Sequence, residues 1–163
     1  MVQLPLMTNL TSLGPVLDPD IRYLILGSFP SAKSLAAGQY YANPLNQFWR
    51  LVGEVINEDL IEFDYASRTK RLLANRIGLW DVIAACAREG SLDSNIRNAQ
   101  ANDFLELRRL APKLRRVAFN GKKAGKWEPC FAAQYETLVL PSSSPANTVA
   151  LPEKLKVWRR LLE

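Results

Sequence analysis

A short apolar run, Tyr23–Leu26, ends the predicted strand Ile21–Leu26 and stops abruptly at Gly27-Ser-Phe-Pro-Ser31. A run this short is typical of a strand, and side chains that are apolar on both faces predict a central strand of a parallel sheet. The Gly and Pro that follow predict a tight loop. Because open α/β sheets bind ligands at the carboxyl ends of their strands, this loop is the first candidate for a functional site.

Strand and helix patterns alternate along the rest of the chain. The predicted strands are Ile21–Leu26, Ile77–Ala85, Arg115–Phe119 and Glu136–Leu140. A first helix is predicted to begin at Pro44 and to include Phe48 to Ile56. The other predicted helices are Tyr65–Arg76, a helix from Asn102 or Asp103 to Leu110, part of Lys122–Tyr135, and Pro152–Leu162. We expect a surface lead-in at Met1–Pro19, a loop with room for one helical turn at Ser31–Ala42, and a polar loop at Glu89–Ile96. Strands separated by helices predict an α/β fold whose parallel sheet is covered on both faces. A length of 163 residues predicts a single domain, 1–163, with a core that needs no disulfides.

The sequence carries no membrane or secretion signal that we recognise. No apolar run is long enough to cross a bilayer, and the N-terminus lacks a charged segment followed by a long apolar one. We therefore expect a soluble, cytoplasmic protein. Cys86 and Cys130 are too few for a disulfide framework, a four-cysteine zinc site or an iron–sulfur cluster, and we expect both to be small buried side chains.

Histidine is absent from the sequence. Its absence excludes Ser–His–Asp and Cys–His nucleophile systems, histidine-ligated metals and histidine general bases. Any chemistry must therefore use carboxylates, amides, hydroxyls or bound water.

The chain is basic, with a formal net charge of +5. Positive residues cluster at Arg68–Arg76, Arg108–Lys126 and Lys154–Arg160, whereas Glu54–Asp64 is acidic. Such clusters favour a polyanionic partner, and for any one of them a solvated helix face is an equally good interpretation.

Three predicted strands end in polar loops, at Gly27-Ser-Phe-Pro30, Asn120-Gly121 and Pro141–Asn147. In a parallel sheet these ends lie along one edge, so the loops should meet in one crevice. The segment Gln39–Trp49 adds amides and aromatic rings. Amides, aromatic rings and few charges suit a flat, uncharged ligand such as a nucleobase.

These segments resemble a known family. Gly27-Ser-Phe-Pro-Ser31 with Gln39-Tyr-Tyr-Ala-Asn-Pro-Leu-Asn-Gln-Phe-Trp49 is similar to the first signature of the uracil-DNA glycosylase superfamily, closest to its hypoxanthine-DNA glycosylase branch. Later segments resemble that branch in the same order: Gly78-Leu-Trp-Asp-Val-Ile83, Gly90-Ser-Leu-Asp-Ser94, Phe119-Asn-Gly121 and Leu140-Pro-Ser-Ser-Ser-Pro-Ala-Asn147. The resemblance implies a three-layer α/β/α sandwich around a short parallel sheet.

The activity that the resemblance implies is hydrolysis of the N-glycosidic bond of a deaminated base in DNA, as in base-excision repair. Hypoxanthine would be the first substrate and uracil in mismatches the second, and the nucleotide would be flipped into a pocket. We expect a monomer that acts on duplex or single-stranded DNA without a metal or cofactor. No lysine stands where it would form a Schiff base, so we expect no lyase step.

The resemblance also assigns roles to residues. Asn46 would contact the base or position the attacking water, with Asn43 as the second catalytic candidate. The base would be bound by the Gly27, Ser28, Phe29, Tyr41, Phe48 and Asn120 positions, and DNA by Lys122, Lys123, Ser142, Ser143, Ser144, Pro145 and Asn147. Core packing is an equally good interpretation of Phe48, and a plain turn is the alternative for Asn120-Gly121. Asp81 is either a buried structural carboxylate or a site residue, and we favour the structural role.

Many relatives carry asparagine or aspartate just after the glycine of the first strand, and some carry histidine in the last loop. This chain has Ser28-Phe29-Pro30 and Ser142-Ser143-Ser144 at those places, with no carboxylate or histidine. This composition favours a dissociative cleavage, in which loop N–H groups and amide donors stabilise the departing base. Two other functions stay open: a non-catalytic reader of damaged DNA, and an N-glycosidase that acts on free nucleosides. A P-loop is excluded, because Gly121-Lys-Lys-Ala-Gly-Lys126 lacks the required spacing.

Overall fold

Four parallel strands form the centre of the structure, a computed structural model that describes residues 9–163. The strands of the chain are β1 Asn9–Thr11, β2 Tyr23–Gly27, β3 Ile77–Asp81, β4 Ile83–Ala87, β5 Arg97–Ala101, β6 Arg116–Asn120 and β7 Glu136–Leu140. The α-helices are α1 Ala32–Ala37, α2 Phe48–Ile56, α3 Tyr65–Ala74, α4 Leu107–Leu110, α5 Lys122–Gly125 and α6 Leu151–Trp158. The parallel sheet has the order β3-β2-β6-β7, and β1-β4-β5 form a second, antiparallel sheet.

The central strand β2 is buried on both faces, as its apolar sequence predicts. Leu24, Ile25 and Leu26 are inaccessible to solvent. Leu24 and Leu26 pack with Phe119 in one core cluster, whereas Ile25 packs on the opposite face in a second cluster. The second cluster includes Phe48 of α2 and Trp158 of α6. The sheet is thus the middle of three layers, and the predicted α/β class is confirmed.

The segment predicted as one strand at Ile77–Ala85 forms two. Strand β3 pairs in parallel with β2, whereas β4 leaves the parallel sheet after Val82 and pairs with β1 and β5. Strand β5 was not predicted, because all five of its residues are exposed and no apolar alternation marks them. Residues 9–11 of the predicted lead-in form β1, and residues 1–8 of that prediction lie outside the described residues.

Several helix boundaries differ from the predictions. Helix α2 begins at Phe48 rather than Pro44, because a turn precedes it in which Asn46 Oδ1 accepts a hydrogen bond from the Phe48 backbone N–H. Helix α4 is a single turn, and Asp103 caps a turn before it by accepting from the Leu105 N–H. Helix α3 and strand β7 begin at the predicted residues. Within residues 9–163, no helix combines the length and apolarity needed to span a membrane.

The parallel register brings the carboxyl ends of all four central strands to one edge. Gly27 is paired with Asp81, and Asn120 is paired with Leu140. The three loops that the sequence predicted to converge therefore start at the same edge of the sheet. Asp81, at the end of β3, joins them there.

Candidate active site

A pocket of about 300 Å³ lies at this edge of the sheet. Its volume is at the lower end of the range found for small-molecule sites, about 300–1,000 Å³. Most of the predicted site residues line it: Gly27, Ser28, Phe29, Tyr41, Asn43, Asn46, Asn120, Ser142, Ser143, Ser144 and Asn147. The structure thus brings together segments that are more than a hundred residues apart in the sequence.

Four predicted site residues lie outside the pocket lining: Phe48, Lys122, Lys123 and Pro145. Phe48 is inaccessible to solvent, and the ring of Tyr41 stacks on it with centroids 3.9 Å apart. The expectation that Phe48 binds the base is therefore corrected: Phe48 lies in the core and supports the Tyr41 ring. Lys122 and Lys123 begin helix α5 directly after Asn120-Gly121, so their side chains stand beside the pocket rather than in it.

Asn120 holds two sides of the pocket together. Its Nδ2 donates to Ser143 Oγ at 2.9 Å and to the Tyr41 hydroxyl at 3.2 Å, and its Oδ1 accepts from the Ser143 backbone N–H at 2.9 Å. The backbone N–H can only donate, so it fixes the orientation of the amide. Both amide donors are then occupied, which leaves one lone pair of Oδ1 for a base.

Tyr41 occupies a strained backbone position at the pocket wall. Its φ is 55°, in the left-handed region that residues other than glycine seldom adopt. Burial raises the pKa of its hydroxyl well above the usual value, so Tyr41 keeps its proton. Because the hydroxyl accepts from Asn120 and donates to none of the described residues, its proton can be donated to a ligand.

Within residues 9–163, Asn43 and Asn46 each have a free amide donor, while the amide oxygen is held by a backbone N–H. Asn43 Oδ1 accepts from the Leu45 N–H at 3.1 Å, and Asn46 Oδ1 accepts from the Phe48 N–H at 2.9 Å. These local turns direct each oxygen to the backbone. Neither Nδ2 group donates to another residue in the described part of the chain, so both are available at the pocket for an acceptor atom of a ligand.

The loop after β7 is held in place by hydrogen bonds within the loop and by hydrogen bonds from helix α6. Ser142 Oγ accepts from the Ser144 N–H, and Asn147 Nδ2 donates to the Ser142 carbonyl. Lys154 of α6 is 1% exposed and donates to the Asn147 carbonyl and to Gln47 Oε1. Ser143 is fully buried, so its side chain supports the loop and does not reach solvent.

Asp81 is a pocket residue that the sequence interpretation assigned to structure. The residue is 3% exposed, Oδ2 accepts a hydrogen bond from Ser12 at 3.0 Å, and Oδ1 accepts none from the described residues. Burial raises the pKa of this carboxyl to about 7, and Asp93 adds to the increase. The sequence gives no signal that would place Asp81 in the site, because the apolar residues on both sides of it predict a strand that continues to Ala85.

Phe29 forms a wall of the pocket, and one face of its ring is covered by Arg88. The Arg88 guanidinium lies over the Phe29 ring, 5.2 Å from the centroid, and its Nη2 donates to the Pro30 carbonyl. A base can therefore meet this ring only at its opposite face or its edge. The loop between β4 and β5 supplies the remaining wall, with Ser91, Leu92 and Asp93, which the sequence interpretation did not assign.

The pocket offers amide, hydroxyl and carboxyl groups but no cluster typical of a metal site. Within residues 9–163, no group of three or more Cys, Asp or Glu residues is placed to bind a metal ion. The side chains that line the pocket can supply hydrogen bonding and proton transfer.

Comparisons with known proteins agree with this geometry. The sequence profile of the Uracil DNA glycosylase superfamily matches residues 15–162. A protein of Methanosarcina acetivorans named Hypoxanthine DNA glycosylase is 54% identical over 133 residues, which cover 81% of this chain and 84% of that protein. One of Methanosarcina barkeri with the same name is 46% identical over 145 residues, covering 88% and 92%.

A solved structure is similar as well. The solution NMR structure of a candidate uracil DNA glycosylase from Methanosarcina acetivorans superposes with a TM-score of 0.85 at 47% identity, and the match covers 96% of this chain and all of that one. The family match extends over nearly the whole chain and includes every loop of the pocket. The chain therefore belongs to the uracil DNA glycosylase superfamily.

Proposed function

We propose that the protein is a DNA glycosylase that hydrolyses the N-glycosidic bond of a deaminated base, with hypoxanthine as its first substrate and uracil in mismatches as its second. The family and the names of both Methanosarcina relatives support this function. The observation that carries it is the pocket itself, in which Asn43, Asn46 and Tyr41 direct unused donors toward one cavity beside an aromatic wall.

These donors suit the acceptor edge of a deaminated base. Deamination of adenine replaces an exocyclic amino group by a carbonyl, so hypoxanthine presents an oxygen where adenine presents a donor. The Nδ2 groups of Asn43 and Asn46 can donate to such an oxygen, whereas they would oppose the amino group of adenine. Of the two roles considered for Asn46, contact with the base uses its Nδ2 donor, and positioning of a water uses the second lone pair of Oδ1 beside the Phe48 N–H.

The same donors assist bond cleavage. As the bond from C1′ to the base breaks, electrons move onto the base, and its carbonyl oxygen becomes a better acceptor. Donors fixed in advance by Asx turns and by the Asn120 clamp need no reorganisation at that moment, which is how preorganised sites lower a barrier. Asn120 acts here as a positioning residue, because its donors are already bound to Tyr41 and Ser143.

DNA would approach the open side of the pocket along the loop after β7. Lys122 and Lys123 at the start of α5 can neutralise backbone phosphates, and the loop at 142–147 is rigid enough to support an everted nucleotide. Binding should then weaken as salt increases. The monomeric state, the single domain and the cytoplasmic location stay predictions.

Incubation of the protein with a labelled duplex that contains one deoxyinosine tests the proposal. We expect abasic sites, seen as strand breaks after alkali, and a loss of about 10²–10³-fold in the single-turnover rate for Asn46→Ala. Binding without breaks would instead support a non-catalytic reader of damaged DNA. Cleavage of free inosine without cleavage of the duplex would support a nucleoside N-glycosidase. Cleavage of a matched duplex with a U·G pair tests uracil as the second substrate.

A further inference from the structure

Asp81 brings a carboxyl group into a pocket whose other polar groups are amides and hydroxyls. Its side chain arrives from β3, the strand beside β2, and it lies against the backbone of Gly27. The Ser12 hydroxyl holds one carboxyl oxygen, Oδ2, at 3.0 Å. The other oxygen, Oδ1, accepts no hydrogen bond within the described residues and is free for a ligand.

Asp81 Oδ1 and the Tyr41 hydroxyl oxygen both lie close to the same position beside Gly27. A Cβ atom on Gly27 would be 2.6 Å from Asp81 Oδ1 and 3.0 Å from the Tyr41 hydroxyl oxygen. The two oxygens therefore flank one point on the floor of the pocket. Glycine at this position leaves them unobstructed, so a bound base can meet both groups.

The surroundings of Asp81 favour its neutral form. No basic side chain contacts the carboxyl group, Asp93 is a second acid of the same pocket, and Tyr40 and Tyr41 are neutral phenols. Arg88 is the nearby cation, and it is bound to the carbonyls of Pro30 and Gly90. Consistent with this geometry, burial raises the pKa of Asp81 to about 7. A substantial fraction of the protein thus carries a proton on Asp81 at neutral pH.

We propose that Asp81 is a general acid that protonates a ring nitrogen of the leaving purine. This role rests on the proposed function. A purine carries basic nitrogens on its ring in addition to the one bound to the sugar, and uracil has no comparable basic nitrogen. An acid in the pocket therefore favours hypoxanthine over uracil, because it converts a poor anionic leaving group into a neutral one.

The step balances without any further reactant. The bond from C1′ to the base breaks, its electron pair goes to the base, and the Asp81 proton goes to a ring nitrogen, so hypoxanthine leaves as a neutral tautomer. Water adds to C1′ and yields the abasic sugar. The proton that this water releases returns to the Asp81 carboxylate through solvent, which restores the acid.

Single-turnover cleavage of the deoxyinosine duplex across the pH range tests the role. We expect the wild-type rate to fall about tenfold per pH unit above about 7, where Asp81 loses its proton. Asp81→Asn keeps the size of the side chain and an acceptor for Ser12 but has no acidic proton. It should cleave about 10²–10⁴-fold more slowly and show no such alkaline decrease.

Asp93→Asn supplies an independent readout. The Asp93 carboxylate raises the pKa of Asp81, so its removal should move the start of the alkaline decrease to lower pH. If Asp81→Asn does not fold, this shift decides the question by itself. Cleavage by Asp81→Asn at the wild-type rate, a wild-type rate that increases with pH through 7, or no shift in Asp93→Asn would overturn the proposal.

Failure of this inference is distinguishable from failure of the proposed function. A wild-type protein that cleaves neither deoxyinosine nor deoxyuridine DNA contradicts the function. A wild-type protein that cleaves deoxyinosine while Asp81→Asn does so equally well contradicts only the role of Asp81.

Discussion

Asn120 and Ser143 share two hydrogen bonds at the carboxyl ends of β6 and β7. Asn120 Nδ2 donates to Ser143 Oγ at 2.9 Å, and the Ser143 backbone N–H donates to Asn120 Oδ1 at 2.9 Å. The Ser143 carbonyl then accepts from the Gln47 N–H at the start of α2. This chain of bonds joins three pocket segments that are distant in the sequence. The pair is therefore a clamp that sets the distance between the loop after β7 and the segment with Asn46.

Removal of the clamp should affect both stability and rate. Asn120→Ala leaves the buried N–H of Ser143 without an acceptor, so we expect the free energy of unfolding to fall by about 1–3 kcal/mol. The single-turnover rate should fall about 10- to 100-fold because the pocket groups lose their positions. Urea unfolding and cleavage of a deoxyinosine duplex measure the two effects.

Asn120→Asp is the matched control for this clamp. The Tyr41 and Ser143 hydroxyls can each donate to a carboxylate, so the fold should be retained, while a negative charge beside the departing base should still slow cleavage. Wild-type rates in both variants would show that Asn120 does not position the site.

Gly27→Ala should block the pocket floor. The new methyl group would lie 2.6 Å from Asp81 Oδ1, closer than nonbonded atoms approach, and 3.0 Å from the Tyr41 hydroxyl oxygen, which is a tight contact. We expect a loss of about 1–3 kcal/mol in stability and at least a tenfold loss in rate. Gly14→Ala is the control, because no atom lies within 4 Å of the added carbon there. Equal cleavage rates for the two variants would show that the space beside Gly27 is not needed for cleavage.

Lys154→Met tests whether α6 holds the two sides of the pocket. Lys154 donates to Gln47 Oε1 at 2.8 Å and to the Asn147 carbonyl at 2.9 Å, and methionine keeps the apolar stem but no donor. We expect about a tenfold loss in rate, with salt-dependent DNA binding measured in parallel. Lys156→Met removes an exposed lysine of the same helix and should leave the rate unchanged. A similar loss in both variants would indicate a general charge effect.

The parallel order of strands made much of the site predictable. Gly27 and Asn120 end β2 and β6, and Ser143 lies in the loop after β7. The register of parallel strands brings such strand ends together whatever the chain length between them. Asp81 was not predictable in the same way. The residues around it are apolar and read as one continuous strand, and nothing in the sequence shows that β3 ends there and exposes the carboxyl group to the pocket.

Two other differences have similar causes. Tyr41 and Phe48 are both aromatic residues near the site, and only their stacking order shows that Tyr41 faces the cavity while Phe48 lies in the core. Strand β5 has no apolar residue except alanine, so its pairing with β4 depends on backbone hydrogen bonds that carry no sequence pattern.

The raised pKa of Asp81 also predicts a pH dependence of stability. The carboxyl group binds its proton more tightly in the folded protein, with a pKa of about 7, than in the unfolded chain, with a value of 3.8. Its full contribution to the free energy of unfolding, at most about 4 kcal/mol, is therefore present below pH 4 and is lost as the pH rises through 7. In Asp81→Asn this loss should disappear. Urea unfolding of both proteins at pH 5 and pH 8 measures it, and equal pH dependences would show that Asp81 titrates normally.

Arg88→Met should move the titration of Asp81 in the direction opposite to Asp93→Asn. The Arg88 guanidinium lowers the pKa of Asp81, and it is buried, with Nη1 unpartnered among residues 9–163. Methionine keeps an apolar contact with Phe29 but removes the positive charge, so Asp81 should hold its proton to higher pH. We expect the alkaline decrease in deoxyinosine cleavage to begin at higher pH, even though loss of the bond to the Pro30 carbonyl lowers the overall rate. An unchanged or downward shift would show that the charge of Arg88 does not reach Asp81.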